Sequence, residues 1–449
     1  MRKATASVIN LGCRVNRVES DKITAGLVSH GFELVGEDEA QLIVINTCAV
    51  TGEAEAKTRK AVRRAAAQPL DPVVIVTGCV VNLNPGELTS ISDRVIAEPE
   101  KTNVVRRALD VFDCHEAADR DCSATSGELA WSMPISSGEA HVDEDPHAIS
   151  DLLGRSRYGI KIQDGCNHRC TYCIVWKARG PERSVPLEDV IRDVRLAQRA
   201  GVPEVVLTGV NLGAYRYETP DGAIIGISRL LQEILDQTSI PQVRLSSIEP
   251  MDVDLDLVRV MADNPDRVAP FLHLPIQSGC TQTLRRMGRP YSAESLLASI
   301  SSIRSILPAV SISCDLIVGF PGETDEEFDR TVETCREIGF SRMHVFRYSK
   351  RPGTPAAVAP NQVDPKIMAS RSAKVRGLAA QMAARDAASR VGTVENAVFE
   401  YDDRGTLGSF HKVVVEDAPM GMRGRLASVR ILALDNDGYL RARLVDPQN

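Results

Sequence analysis

The sequence predicts an α/β protein in three parts: an N-terminal α/β layer over residues 1–112, a partial barrel of six βα units within 154–388, and a small β-barrel over 389–449. Three observations carry that expectation. Residues 1–112 alternate strand-like apolar runs with helical periodicity, and residues 158–347 repeat the alternation six times. Beyond residue 392 the helical period gives way to short β-type runs between Gly- and Asp-rich turns.

In the first part, apolar runs at 5–11, 42–46 and 73–77 read as strands, and 17–30, 53–67 and 101–112 as helices. Residues 113–153 are rich in Ser, Ala, Asp and Glu without a sustained period, and read as an acidic linker. Strand-like runs follow at 158–163, 203–209, 242–246, 270–274, 310–318 and 342–347. Six such units, where a closed barrel has eight, suggest an open or partial barrel. An Ala-rich stretch, 364–391, reads as a long helix. The tail offers strands at Val394–Glu400, Lys412–Val415, Arg425–Leu434 and Tyr439–Val445.

No run of eighteen apolar residues occurs, and the N-terminus lacks a long apolar segment with a cleavage site, so no membrane span is expected and a cytoplasmic location is. Eleven cysteines without a small disulfide-rich scaffold point to metal ligands, redox groups or buried fillers. The net charge of −7 is unevenly spread. Residues 113–151 carry ten acids and one base, a net −9, which leaves the rest of the chain at +2. Composition is therefore neutral on an RNA partner.

The chemistry lies in the cysteines. Gly165-Cys166-Asn167-His168-Arg169-Cys170-Thr171-Tyr172-Cys173 follows the first barrel strand, and eleven cysteines placed at random would give this spacing roughly 0.007 times. Zinc is the rival occupant, but a closed zinc site wants four ligands and no fourth follows. Three thiolates suit a [4Fe–4S] cluster with one iron left open. Cys13, Cys48 and Cys79 stand 35 and 31 residues apart, each just past a predicted strand. In a parallel sheet all strand C-termini share one edge, so the three should converge and hold a second cluster.

The Cys-x-x-x-Cys-x-x-Cys loop after a first barrel strand resembles the radical S-adenosylmethionine (SAM) superfamily, whose fold is a partial (β/α)6 barrel. Together with Asn10–Asn16, Asn46–Thr51 and Gln163–Asn167, it resembles the methylthiotransferases, and among them the branch acting on threonylcarbamoyladenosine in tRNA. Isopentenyladenosine in tRNA or an aspartate of a ribosomal protein are the substrates of the other branches. A non-catalytic zinc- or cluster-bearing RNA-binding protein is the reading from another class. The resemblance implies an N-terminal cluster domain, a radical SAM barrel and a C-terminal β-barrel of the TRAM type. It also implies two [4Fe–4S] clusters, one on Cys13, Cys48 and Cys79 where sulfur is methylated by SAM, the other on Cys166, Cys170 and Cys173 where SAM yields a radical. That radical would take hydrogen from C2 of the modified adenine before the methylthio group arrives. A flavodoxin- or ferredoxin-like one-electron donor and tRNA are the implied partners.

Later strand ends supply candidate cofactor contacts: Gly209, Ser247, Glu249 and Gln277, with Tyr172 suited to adenine. No general acid or base is evident. Trp176-Lys177, Val185 and Val80-Val81-Asn82 depart from the family pattern without removing a ligand. Lys57, Arg59, Lys60, Arg63 and Arg64, then Arg285, Arg286 and Arg289, then Arg347, Lys350 and Arg351, are candidate phosphate contacts, with solvated helix faces as the alternative. Arg179 and Arg351 are candidates to meet a substrate carboxylate.

Overall fold

The computed structural model describes residues 4–118 and 155–445. The chain forms two compact units, Met1–Asp145 and Pro146–Asn449. The greater part of the acidic segment, 119–153, lies outside the described residues.

The first unit is built on a five-stranded parallel sheet of β1 (Thr5–Asn10), β2 (Glu33–Leu34), β3 (Leu42–Thr47), β4 (Val73–Gly78) and β5 (Val95–Ala97), in the order β2-β1-β3-β4-β5. Every residue of β3 is buried, as a central parallel strand covered on both faces requires. Helix α1 (Arg14–Ser29) follows β1, and α2 (Gly52–Ala66) follows β3. The Thr51 hydroxyl caps α2 by accepting from the Ala54 N–H at 3.1 Å, with Glu53 and Glu55 in its first turn and Arg63 and Arg64 in its last. The short α3 (Cys79–Leu83) and α4 (Pro85–Thr89) come before β5, and α5 (Val104–Ala118) runs past the expected end at 112. β2 and β5 went unanticipated because edge strands of two and three residues carry no period.

The second unit opens with β6 (Tyr158–Lys161), then β7 (Gln163–Asp164) paired antiparallel with β8 (Arg183–Ser184), then β9 (Glu204–Thr208). A small hairpin, β10 (Tyr217–Glu218) and β11 (Ile224–Ile225), precedes β12 (Gln242–Leu245), β13 (Phe271–His273), β14 (Ser311–Val318) and β15 (Arg342–Arg347). β6, β9 and β12 pair in parallel, as do β13, β14 and β15. Bridges Val243–Val268 and Ser247–His273 join the two halves into one arc of six parallel strands. The expected open (β/α)6 barrel is thus present, with β6 and β15 as its free edges.

The long helix spans Pro365–Ser389, after which β16 (Val394–Phe399), β17 (Arg404–Leu407), β18 (Lys412–Glu416), β19 (Leu426–Leu434) and β20 (Leu440–Leu444) close into a barrel. β17, with its Arg and Gly, was not legible as a strand. The tip after it, Gly408–His411, enters the N-terminal end of the six-stranded arc. Phe410 stacks on Phe271 with ring centroids 4.7 Å apart and lies within 5.0–5.7 Å of the guanidinium carbons of Arg157, Arg244 and Arg342. Arg244 is fully buried. It grips Glu204 through Nε and Nη2 at 2.9–3.1 Å and donates to the Leu407 and Gly408 carbonyls at 3.0 and 2.8 Å.

Candidate functional site

In the first unit the sheet register puts the three cysteines at one edge of the sheet. Thr47 pairs with Gly78 across β3 and β4, and Asn10 with Asn46 across β1 and β3. Cys48 and Cys79 therefore leave neighbouring strand ends side by side, and Cys13 caps α1 after the next strand along. Cys48 and Cys79 are buried and Cys13 is exposed. Hydrogen bonds between side chains and backbone knit the loops that carry them. Asn16 Nδ2 donates to the Thr47 carbonyl at 2.8 Å, Asn46 Nδ2 to the Asn16 carbonyl at 2.9 Å, and the Thr47 hydroxyl to the Thr77 carbonyl at 2.7 Å. The Thr47 hydroxyl also accepts from Val80 N at 3.2 Å. Gly78, at φ +97°, has no room for a Cβ, which would stand 2.6 Å from both Asn46 Oδ1 and the Thr47 carbonyl oxygen.

In the second unit Cys166, Cys170 and Cys173 share the loop after β7. Its shape is fixed from several sides. Asp164 accepts from Gly165 N at 2.8 Å and pairs with Arg179 at 2.9 Å and Lys161 at 3.2 Å. Asn167 and Glu182 exchange hydrogen bonds of 3.0–3.2 Å, and Arg169 Nη1 collects the carbonyls of Cys166, Asn167 and His168. Gly165, at φ +72°, passes so close to the next loop that a Cβ would stand 1.8 Å from the Pro181 carbonyl oxygen.

Hydrogen bonds then run round the mouth of the barrel. Gln163 Oε1 accepts from Val210 N and Asn211 N at 2.9 and 3.0 Å, which locks the loop after β9, where Gly209 lies against Gln163. Asn211 Oδ1 accepts from Glu249 N at 3.1 Å, and Ser247 O from Leu212 N at 3.0 Å. Arg289 pairs with Glu249 and places Nη1 3.2 Å from Cys170 Sγ. Glu249 and the cysteine loop thus meet through one guanidinium. Gln277 holds φ +64° between hydrogen bonds to Asp315 O and from Ile317 N, both 2.9 Å. Tyr172 packs edge-on to Phe320 with centroids 6.4 Å apart, among Met287, Tyr348 and Met368.

The donor set of the barrel loop fits an iron–sulfur cluster. Burial pushes the Cys173 thiol up to about 12 and raises that of Cys166, so neither ionises readily without a bound cation. Val175 N–H donates to Cys173 Sγ at 3.4 Å and Arg289 to Cys170 Sγ, the contacts a cluster thiolate accepts. Among the described residues no three His, Cys, Asp or Glu side chains gather as they would round a single ion. A four-iron cluster takes each thiolate on its own iron and asks for wider spacing.

Comparison with known proteins places these features. Residues 160–335 match the family model of the radical SAM superfamily, and residues 5–97 that of the uncharacterized protein family UPF0004. The threonylcarbamoyladenosine tRNA methylthiotransferase MtaB of Bacillus subtilis (strain 168) is 34% identical over 442 residues, 96% of this chain and 94% of its own. The chain belongs to the radical SAM methylthiotransferases.

This methylthiotransferase also matches the tRNA-2-methylthio-N(6)-dimethylallyladenosine synthase of Acidothermus cellulolyticus, 34% identical over 88% of the chain and 77% of that relative. Among solved structures it is similar to the radical SAM methyltransferase TsrM from Kitasatospora setae, with a TM-score of 0.53, 14% identity, and 80% and 74% of the two chains covered; that likeness shows the fold alone. As a family member the protein is a transferase that uses SAM and a [4Fe–4S] cluster.

Some of the candidate basic contacts are overturned by burial, and others stay open. Arg289 is buried in the site and is no phosphate contact. Lys57, Arg59, Arg64 and Arg286 pair at the surface with Glu53, Glu87, Glu37 and Glu327 and stay candidate phosphate contacts, while Arg351 is buried. Lys60, Arg63, Arg285, Arg347 and Lys350 keep exposed charge. Arg179 is buried and committed to Asp164. Cys280, Cys314 and Cys335 are buried as packed thiols. Trp176 carries Arg169 over its ring at 4.4 Å, and the neighbouring Lys177 reaches the Gly353 carbonyl at 2.7 Å. No helix among the described residues is long and apolar enough to cross a membrane.

Proposed function

We propose that the protein adds a 2-methylthio group to N6-threonylcarbamoyladenosine beside the anticodon of tRNA, using two [4Fe–4S] clusters. The observation that carries this reading is that Cys13, Cys48 and Cys79 follow strand ends at one edge of a parallel sheet, in addition to the barrel's own triad. A radical enzyme with one cluster has no use for that second set. Cys166, Cys170 and Cys173 are assigned to the cluster that cleaves SAM, and Cys13, Cys48 and Cys79 to the one beside which the methylthio group is made ready. When bound, the barrel's cluster supplies one electron to SAM and so releases a 5′-deoxyadenosyl radical. Glu249, Ser247, Gly209 and Gln277, at the strand ends, are assigned to SAM, with Glu249 to bind its ribose or amino group. Tyr172 backs the cysteine loop, with its ring offered to adenine. Low-potential electrons come from a flavodoxin- or ferredoxin-like donor, in the cytoplasm.

The substrate assignment is supported by the Bacillus subtilis relative, which matches over nearly the full length of both chains. The domain limits of 1–112, 154–388 and 389–449 belong to the same reading, with the C-terminal barrel as a TRAM-type RNA contact. Nucleoside mass spectrometry of tRNA from cells lacking the gene tests it. Loss of 2-methylthio-threonylcarbamoyladenosine with build-up of its unthiolated precursor is expected. Loss of the methylthio group from the isopentenyl nucleoside instead would move the enzyme to the other tRNA branch.

A further inference from the structure

Arg289 lies between two helices, Thr281–Arg286 and Ala293–Ile306, in a stretch that read as surface charge. Its side chain is 1% exposed, and its donors are all engaged. Nη1 reaches Cys170 Sγ and Glu249 Oε1, each at 3.2 Å, Nη2 reaches Glu249 Oε2 and the Pro275 carbonyl, and Nε reaches the Tyr291 hydroxyl at 3.0 Å. Tyr291 lies beneath the guanidinium at 5.1 Å and donates its own proton to the Ile276 carbonyl at 3.1 Å. Three neighbouring parts of the barrel mouth therefore meet on one planar cation: the cysteine loop, the end of β12 and the end of β13.

Burying an ion pair costs more in desolvation than burying an apolar side chain of the same size. The return here lies in what the cation touches. We propose that Arg289 is a positioning residue that holds the Glu249 carboxylate at a fixed distance from the cluster sulfur of Cys170 and, by its charge, eases reduction of that cluster. This rests on the assignment of Cys170 to the cluster and Glu249 to SAM. A reduced cluster carries one more negative charge than an oxidised one, so a fixed cation hydrogen-bonded to its sulfur favours the reduced form. The same fork holds Glu249 bidentately, which a point-charge ammonium does not. Electron uptake and cofactor orientation are thereby set by one side chain.

The test uses the full chain with Cys13, Cys48 and Cys79 changed to Ala, so that one cluster remains. Arg289→Gln and Arg289→Lys are made in it and reconstituted anaerobically. Iron content, midpoint potential by electron paramagnetic resonance titration, and SAM affinity by calorimetry are measured. The Gln variant should keep about four irons, take a lower potential and bind SAM about tenfold more weakly, the loss of one charge-assisted contact. The Lys variant should recover most of the potential while SAM affinity stays weak. Unchanged potential and affinity in the Gln variant would overturn the proposal, as would equal losses in both variants. Loss of iron from both variants, or collapse of their unfolding midpoints in iron-free form, would make Arg289 a folding residue and overturn it too. Absence of iron from the parent protein would instead remove the cluster assignment, before either variant is measured.

Discussion

Cys13 and Cys173 are both expected cluster ligands, yet their surroundings differ sharply. Cys13 is exposed at the start of α1, whereas burial holds the Cys173 thiol near 12. At pH 8 Cys173 of iron-free protein therefore stays a neutral thiol. In iron-free protein, iodoacetamide followed by peptide mass spectrometry should label Cys13 early and Cys173 late, and raising the pH to 10 should still leave Cys173 slower than Cys13. Rapid labelling of Cys173 would mean that its loop opens without iron. The cysteines themselves were legible because ligand spacing is written in the chain. Arg289 was not, since its meaning depends on Glu249, forty residues away. Burial and pairing across that distance leave no local period, so the residue read like its neighbours Arg285 and Arg286.

Strand ends organise both candidate sites. The three N-terminal cysteines could be read as convergent because each follows an apolar run, and parallel pairing needs all those runs to end on one edge. The Asn16–Asn46–Thr47 network that fixes their loops was not legible, because polar residues after strands have many uses in turns. Iron counting separates the two triads. Anaerobically reconstituted protein should hold about eight irons per chain. Changing Cys166, Cys170 and Cys173 to Ala should remove about half and abolish formation of 5′-deoxyadenosine. Changing Cys13, Cys48 and Cys79 should also halve the iron while SAM cleavage persists. Full iron in the second variant would sink the two-cluster reading. Short elements escaped for a different reason: β2, β5 and β17 have too few residues for alternation to register, whereas the six barrel strands alternate with helices long enough to mark them out.

At the scale of the whole second unit, the tail was expected as a separate small barrel, and its closure into five strands follows that expectation. Its junction with the larger barrel did not follow from sequence. Glu204 and Arg244 sit in ordinary strand positions, and nothing local says that both are fully buried or that Arg244 reaches carbonyls some 160 residues on. Arg244→Met should cost about 3–5 kcal/mol in urea unfolding, because it strands the Glu204 charge in the interior. The double change Arg244→Met, Glu204→Leu should recover most of that loss, less the two carbonyl contacts. Additive losses would mean that water reaches the pair.

The Phe410 tip also bears on how such proteins recombine over evolutionary time. A tail grafted from a relative must bring an aromatic ring at the height of Phe271 and two carbonyls at the reach of Arg244. Otherwise the recipient inherits a charged hole in its floor. Glu204, Arg244, Phe271 and the Gly408–His411 tip should therefore travel together as one heritable unit. In chimeras between this chain and its relatives, crossover points near residue 391 should give soluble protein when those four are matched and aggregates when they are not.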